Sequence, residues 1–172
     1  MWGLAKKAIN STVGIGMKPL DKISEHISAE LLYTLALVIN TSIPNNKIFI
    51  APRNKILSGS LPDVSLQIAI IPPEVEVISE GFFYDCRDLE DIDISFVKAI
   101  RAEAFRDSAL KRVVLGTNLE GIERFAFSGC FSLTDIYYRG TMEQWTNVYR
   151  DDDWDVDTPE YIVHCLDGDI PK

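Results

Sequence analysis

An internal repeat of 22 residues constrains the fold of this chain more than any other feature of its sequence. Phe83, Phe105 and Phe127 follow one another at this step. Two further apolar sets keep the same step ahead of each phenylalanine: Ile78, Ile100 and Ile122, and Val75, Val97 and Leu119. Apolar positions that recur at a fixed period of about 20–50 residues indicate a solenoid, in which each repeat forms one coil and stacks on its neighbours.

Each repeat opens with two apolar residues separated by one position. The pairs are Ile68 with Ile70, Ile92 with Ile94, Val113 with Leu115, and Ile136 with Tyr138. Such alternation is typical of a short strand with one face turned inward, and stacked coils bring these strands into a parallel sheet. The period is that of leucine-rich repeats, which have about 20–29 residues. We therefore predict an α/β fold, a short right-handed leucine-rich-repeat solenoid over residues 68–136 with stacked parallel strands.

The second repeat is one residue shorter than the others after its phenylalanine. Phe105 and Leu110 are five positions apart, whereas the matching pairs of the other two repeats are six apart. Those pairs are Phe83 with Leu89 and Phe127 with Leu133. The turn that follows regains the residue, so we expect the register of the core to be kept.

The residues around the repeats divide into three segments. Residues 1–45 are predicted to be helical, because apolar residues recur at steps of three and four over the second half of this segment. This helical segment either caps the first coil or attaches the chain to an assembly. Residues 46–67 are a transition or a degenerate first coil, with a strand candidate at 48–50. Residues 137–172 are predicted to form a C-terminal cap.

Composition and charge disfavour several classes of protein. Apolar residues make up 47% of the chain and charged residues 25%, as is typical of a folded globular protein. The net charge of −9 disfavours nucleic acid as a partner, because clustered lysine and arginine bind phosphate backbones. No run of about 18 apolar residues is present, so we expect no membrane span. The first residues lack an apolar stretch and a cleavage site of small residues, so we predict no secretion signal.

The three cysteines are predicted to remain unpaired. Cys86 and Cys130 occupy the same position of the first and third repeats. Positions two coils apart are separated by about 10 Å, because adjacent coils stack at the strand spacing. A disulfide requires Cα atoms within about 7 Å, so we expect both residues to be small buried hydrophobes. Cys165 is then a free thiol, as expected in a reducing compartment.

The sequence provides no recognisable catalytic, cofactor or metal motif. The two histidines, His26 and His164, lie outside any nucleophile or metal pattern, and no glycine-rich phosphate loop is present. His164 is followed by Cys165, but adjacent residues of a strand point to opposite faces and would not ligate one ion together. We therefore predict a non-enzymatic protein.

The acidic run at residues 151–157 has some, but not all, of the features of a calcium-binding loop. Three aspartates have the alternate spacing of calcium ligands, but Val156 stands where the sharp turn needs glycine. Ile162 stands where a bidentate glutamate is needed. A solvated acidic loop is the favoured interpretation, and calcium titration followed by Trp154 fluorescence would test it.

Candidate binding residues lie at the outward positions of the predicted sheet and near the C-terminus. Repeat proteins commonly bind partners through the exposed face of their sheet. In this chain that face would contain Asp91, Asp93, Ser95, Arg112, Asp135 and Tyr137. Tyr149 and Trp154, among charged residues, are predicted to be exposed and to add to a binding patch. Tyr138 and Trp145 are expected to cap the last coil instead.

The repeats resemble those of the BspA-type leucine-rich-repeat family. The similarity is clearest at residues 122–136, which contain an isoleucine, the pair Ala126–Phe127, a Ser-Gly-Cys turn and a leucine three positions before an isoleucine. Residues 136–145, with a tyrosine strand, a Gly-Thr turn and a tryptophan, are similar to the ends of such arrays. The resemblance covers about residues 68–166.

The resemblance implies a binding protein. Domains of this family mostly serve adhesion and protein binding on the surfaces of bacteria and some protozoa, and they occur in phage and prophage structural proteins. It therefore implies a virion component that displays a binding module and is made in the host cytoplasm without a secretion signal. Residues 1–45 would then bind copies of the chain or other virion proteins in a homo-oligomer, and the module would bind a host-surface protein or glycan. The alternative is a cytoplasmic or cell-surface module for protein interaction or adhesion.

Overall fold

The computed structural model describes residues 48–51, 55–57, 59, 61 and 65–172. The helix predicted within residues 1–45 lies outside the described residues. The strand candidate at the start of the transition segment is confirmed as the first strand of the described residues.

Short strands alternate between two sides of the described chain. In chain order they are β1 (Ile48–Ile50), β2 (Ile56–Leu57), β3 (Ile68–Ile70), β4 (Val77–Ile78), β5 (Asp91–Asp93), β6 (Ala99–Ile100), β7 (Arg112–Leu115), β8 (Gly121–Ile122), β9 (Asp135–Tyr138), β10 (Tyr149–Arg150), β11 (Ile162–Cys165) and β12 (Gly168–Pro171). One helix, α1 (Met142–Asn147), lies between β9 and β10 in the described part of the chain.

The strands form two five-stranded sheets and one separate pair. The first sheet has the order β5-β7-β9-β11-β12 and is parallel except for the last strand, which is antiparallel to β11. The second sheet has the order β2-β4-β6-β8-β10 and is parallel throughout. Strands β1 and β3 form a parallel pair. The stacked parallel strands of the predicted leucine-rich-repeat solenoid are thus confirmed.

Backbone hydrogen bonds between turns connect the coils on a third side, which we call the turn side. The N–H of Phe83 donates to the carbonyl of Ala104 at 2.8 Å, and the N–H of Phe105 donates to the carbonyl of Ala126 at 2.8 Å. The same bond joins Phe127 to the carbonyl of Trp154. Each coil therefore pairs its backbone with the next coil even where the chain has no strand.

Each coil passes through left-handed backbone at two points of the turn side. The first point is occupied by Gly81, Glu103 and Phe125, and the second by Asp85, Asp107 and Gly129, with φ between 56° and 69°. Glycine adopts this conformation freely and aspartate tolerates it. A glutamate or phenylalanine there is strained, because its β-carbon crowds the backbone.

The predicted phenylalanine ladder is the centre of the core. Phe83, Phe105 and Phe127 are fully buried, and their rings stack with 5.1 Å between successive centroids. Cys86 and Cys130 are buried and unpaired, as predicted. Burial raises the pKa of the Cys130 thiol to about 11, which fits its role as a small core residue.

Aromatic side chains close the C-terminal end of the core. Thr141 begins α1 with a capping box: its side chain accepts from the N–H of Gln144, whose side chain accepts in turn from the N–H of Thr141. Trp145 and Tyr138 are buried, as expected for capping residues, with 5.3 Å between their ring centroids. Residues of the predicted cap therefore cover the last coil.

The prediction that Trp154 is exposed is wrong. Its side chain is only 7% exposed, and its ring meets that of Phe127 edge-on with 5.7 Å between centroids. The neighbouring carboxylates do not surround the indole, because they bind other groups of the cap. Asp151 accepts from the N–H of Arg124 at 2.7 Å, and Asp155 accepts from the hydroxyl of Tyr161 at 2.6 Å. Trp154 thus ends the ladder in place of a further phenylalanine.

The acidic run is less solvated than its composition suggests. The side chain of Asp155 is 15% exposed and lies 3.5 Å from the ammonium of Lys172. Burial and the bond to Asp155 raise the pKa of Tyr161 far above its usual range. Among the described residues, no group of three or more His, Cys, Asp or Glu side chains could hold a metal ion. In the described part of the chain, no helix is long and apolar enough to cross a membrane.

Candidate functional site

The outer face of the first sheet contains most of the predicted binding residues. The inward positions of β5, β7 and β9 are filled by buried apolar residues, so the positions between them point outward. Strand register arranges these outward residues in two rows. Row one contains Asp91, Arg112, Asp135 and Ile162, and row two contains Asp93, Val114, Tyr137 and His164. We call this surface the sheet face.

Charged pairs hold the first row in a fixed geometry. The guanidinium of Arg112 donates to both carboxylate oxygens of Asp91, at 2.7 and 2.9 Å. A bidentate pair fixes the orientation of the guanidinium. Because the Arg112 side chain is 56% exposed, this cation faces solvent rather than being hidden.

His164 joins the two rows of the sheet face. Its Nε2 lies 2.9 Å from Asp135 Oδ1, and its Nδ1 lies 3.0 Å from Asp169 Oδ1 on β12. An ionised carboxylate only accepts hydrogen bonds, so the doubly protonated imidazolium satisfies both contacts. The bonds to Asp135 and then Asp169 raise the pKa of His164, and the bond to His164 lowers the pKa of Asp135.

Tyr137 is the exposed centre of the sheet face. Its side chain is 41% exposed, and its ring stacks on that of His164 with 4.7 Å between centroids and 23° between planes. Ile162, also 41% exposed, and the half-buried Val114 lie on the neighbouring strands. The sheet face therefore has an apolar, aromatic middle with charged residues beside it.

Four of the eight predicted binding residues lie on the accessible part of the sheet face: Asp91, Arg112, Asp135 and Tyr137. Asp93 and Ser95 are buried, which corrects their prediction as exposed outward residues. The carboxylate of Asp93 accepts from Arg139 at 3.0 Å and from the N–H of Ser95 at 3.1 Å. These hydrogen bonds hold the Asp93 side chain against the sheet, away from solvent.

The two remaining predicted residues lie outside the sheet face. Tyr149 is 62% exposed, as predicted, but it lies on β10 at the edge of the second sheet and donates its hydroxyl hydrogen bond to Asp151. Trp154 is buried in the core, as described above. The aromatic residues near the C-terminus thus do not form one patch.

Sequence reasoning missed three residues of the sheet face: Val114, Ile162 and His164. The alternation of Ile162 and His164 around the buried Val163 is the signal that predicts an additional strand. It was missed because α1 and the acidic loop separate β11 from β9, so Asp135 and its partner Ile162 are 27 positions apart. This spacing does not fit the 22-residue repeat.

Residues 27–149 match the sequence profile of the BspA-type leucine-rich-repeat region, in six copies. The match begins before residue 68 and ends before residue 166, the limits predicted for the resemblance. The chain belongs to the BspA-type leucine-rich-repeat family. Leucine-rich repeats of this kind generally form binding folds for protein partners rather than enzymes. Searches of curated proteins and of solved structures gave no significant match.

Proposed function

We propose that this BspA-type repeat protein binds a protein partner through the sheet face, with Tyr137 at the centre of the contact. The observation that carries this proposal is the stack of Tyr137 on His164, whose imidazole two carboxylates hold in place. A side chain that is ordered before binding loses less entropy in the complex. Exposed tyrosine beside arginine is also the composition that binding hot spots favour.

Photo-crosslinking tests this proposal directly. A benzophenone amino acid is placed at position 137 of the full chain, and a second variant carries it at position 149. Tyr149 is the matched control, because it is also an exposed tyrosine but lies on the other sheet. In a lysate of the organism that carries the gene, position 137 should give a discrete crosslinked protein that position 149 does not give. Equal products from both positions would contradict the proposal.

A charge reversal adds a second arm to this experiment. Arg112→Glu places a carboxylate opposite Asp91 and should reduce the crosslinked product at least fivefold, because like charges repel across the row. Glu160→Gln, at an exposed position outside the sheet face, should leave the product unchanged. A product that survives Arg112→Glu would place the contact elsewhere.

We also propose that residues 1–45 attach the repeat domain to an assembly of several copies. The sheet face is small, and several linked copies bind far more tightly than one copy through effective concentration. The molar mass of the full chain and of residues 46–172 in solution tests this role. Attachment predicts an oligomeric full chain and a soluble monomeric fragment, whereas a cap for the first coil predicts aggregation of the fragment.

We propose the virion of a phage or prophage as the assembly. This choice rests on the resemblance to the BspA-type family alone, because domains of that family also occur in phage and prophage structural proteins. Mass spectrometry of purified particles from the source organism should then detect the chain beside capsid or tail proteins. Its detection only in the cytoplasm or on the cell surface would favour the alternative interaction or adhesion module.

A further inference from the structure

A groove of about 460 Å³ opens on the turn side, away from the residues of the sheet face. It crosses three successive coils. Its lining includes Tyr84, Asp85 and Arg87 from the first coil, Asp107 and Ala109 from the second, and Phe131 from the third. None of these residues belongs to the sheet face.

The groove exists because the second coil is one residue short. Two residues, Arg87 and Asp88, stand between Cys86 and Leu89 in the first coil, and the third coil likewise has Phe131 and Ser132. The second coil has only Ala109 at this place. The N–H of Ala109 donates to the carbonyl of Cys86 at 3.1 Å, so the shortened turn remains paired with its neighbour. The small side chain of Ala109 therefore lies between the large side chains of Arg87 and Phe131, and the surface has a notch at this point.

Two exposed aromatic rings stand in the lining of the notch. Phe131 is 73% exposed and Tyr84 is 46% exposed. Large apolar side chains at this level of exposure gain little from folding, and grouped around a depression they are typical of a binding surface. Aromatic rings also attract cations to their faces.

Two carboxylates, those of Asp85 and Asp107, contribute to the lining of the groove. Asp107 extends over the backbone of Gly129, so closely that a β-carbon on Gly129 would lie 2.2 Å from its Oδ1. Its ion pair with Arg106 is long, with 3.6 Å between Nε and Oδ2. Arg87, the cation of the lining, donates to both carboxylate oxygens of Asp85, at 2.6 and 3.3 Å. The lining thus has two carboxylates for one guanidinium.

We propose that this groove binds an arginine or lysine side chain of a partner protein. The cationic group would meet Asp107, and the aliphatic part of the side chain would lie against Phe131 and Tyr84. Charge complementarity favours this occupant, because the lining has two carboxylates and one guanidinium, the ion pair of Asp107 with Arg106 is long, and the chain has a net charge of −9. The groove shares no residue with the sheet face, so the proposals for the two sites can succeed or fail separately.

The test uses the ¹⁵N-labelled full chain and three capped tripeptides, Gly-Arg-Gly, Gly-Lys-Gly and Gly-Gln-Gly. The two basic peptides should give saturable amide shifts centred on Tyr84, Asp107 and Phe131, and the glutamine peptide should give none. Asp107→Asn should weaken binding at least fivefold, and asparagine tolerates the left-handed backbone at this position. Ala109→Gln fills the notch and should weaken binding by a similar factor.

Glu160→Gln is the matched control, because it removes the same charge from an exposed position outside the groove. It should change the affinity by less than twofold. Shifts that spread over the surface without saturation, equal shifts with the glutamine peptide, or unchanged affinity in Asp107→Asn would each overturn the proposal. Saturable shifts in the groove with a neutral disaccharide alone would overturn it as well. If Ala109→Gln does not fold, Asp107→Asn decides the result.

Discussion

The rings of Phe83 and Phe105 are nearly parallel, with 4° between their planes and 5.1 Å between their centroids. Phe105 stacks on Phe127 in the same way and is fully buried, so it is held between two rings. Phe105→Ala should lower the free energy of unfolding by about 3–5 kcal/mol, because it opens a cavity in the middle of the stack. Urea denaturation followed by tryptophan fluorescence measures this loss.

Phe131→Ala is the control for Phe105→Ala. It removes the same side chain from a position that is 73% exposed, so stability should change by no more than about 0.5 kcal/mol. Similar losses in the two variants would show that the stack contributes nothing special to the fold.

The ladder could be predicted from the sequence because its cause is local and periodic. A fixed step of 22 residues puts Phe83, Phe105 and Phe127 at the same point of successive coils, and the same step placed Cys86 and Cys130 in the core. Periodicity fails where the step changes. Trp154 follows Phe127 by 27 residues, and its charged neighbours suggested exposure although their carboxylates bind the cap.

The two candidate sites differ in how far the sequence predicts them. The outward residues Arg112 and Tyr137 follow from strand alternation, but His164 reaches the sheet face only through a strand beyond the repeats. The missing residue beside Ala109 is visible in the sequence, whereas the groove is not. The groove depends on how the side chains of Arg87 and Phe131 stand on either side of Ala109, and only the packed structure shows this arrangement.

Gly116 lies against the backbone of the preceding coil. A β-carbon at Gly116 would lie 1.9 Å from the carbonyl oxygen of Ser95, and backbone atoms can give way only if the coils separate. Gly116→Ala should therefore destabilise the protein by about 3 kcal/mol or more, as severe overpacking does. Gly81→Ala is the matched control, because a β-carbon there meets nothing nearer than 4.0 Å. Only the strain of the left-handed backbone should then lower its stability, by about 1–2 kcal/mol. A melting temperature that falls from wild type to Gly81→Ala and falls further in Gly116→Ala would support this account. A higher melting temperature for Gly116→Ala than for Gly81→Ala would refute it.

Glu103 stores backbone strain on the turn side, with φ at 57°. Its ion pair with Arg106, 3.5 Å long and partly exposed, contributes little to stability. Glu103→Gly should be more stable than Glu103→Ala by about 1 kcal/mol, because both variants lose the carboxylate but only glycine relieves the left-handed strain. Chemical denaturation of both variants measures the difference, and equal midpoints would mean that the backbone at this position is unstrained.

The three thiols should differ in reactivity. Cys86 and Cys130 are buried, and the pKa of Cys130 is raised to about 11, so neither forms an accessible thiolate near neutral pH. Cys165 is half-buried, so it is the accessible thiol, although burial and the nearby Asp167 and Asp169 raise its pKa as well. At pH 8 an aromatic disulfide reagent should modify one thiol in the native chain and three in denaturant. Cys165→Ser should abolish the native reaction, and fast modification of two or more native thiols would contradict the buried positions.

The bonds of His164 to Asp135 and Asp169 should make the stability of the C-terminal strand pair depend on pH. Because folding raises the pKa of His164, the contribution is complete below its ordinary value of 6.5 and is lost as the pH rises through the raised value. Asp135 has a lowered pKa, so its contribution is present above 3.8 and is lost as the pH falls through the lowered value. Stability from this group is therefore greatest between about pH 4 and 6.5.

The variant His164→Gln isolates this effect from the general repulsion of an acidic chain. Glutamine keeps a polar group beside Asp135 but cannot be charged, so the stability difference between wild type and His164→Gln should be larger at pH 5.5 than at pH 8.5. Asp135→Asn should also make stability depend less on pH between 5.5 and 8.5, because it removes the main cause of the raised pKa of His164. Thermal denaturation at the two pH values measures each difference. A wild-type advantage that is constant or grows with pH would show that His164 is not held as an imidazolium between its two carboxylates.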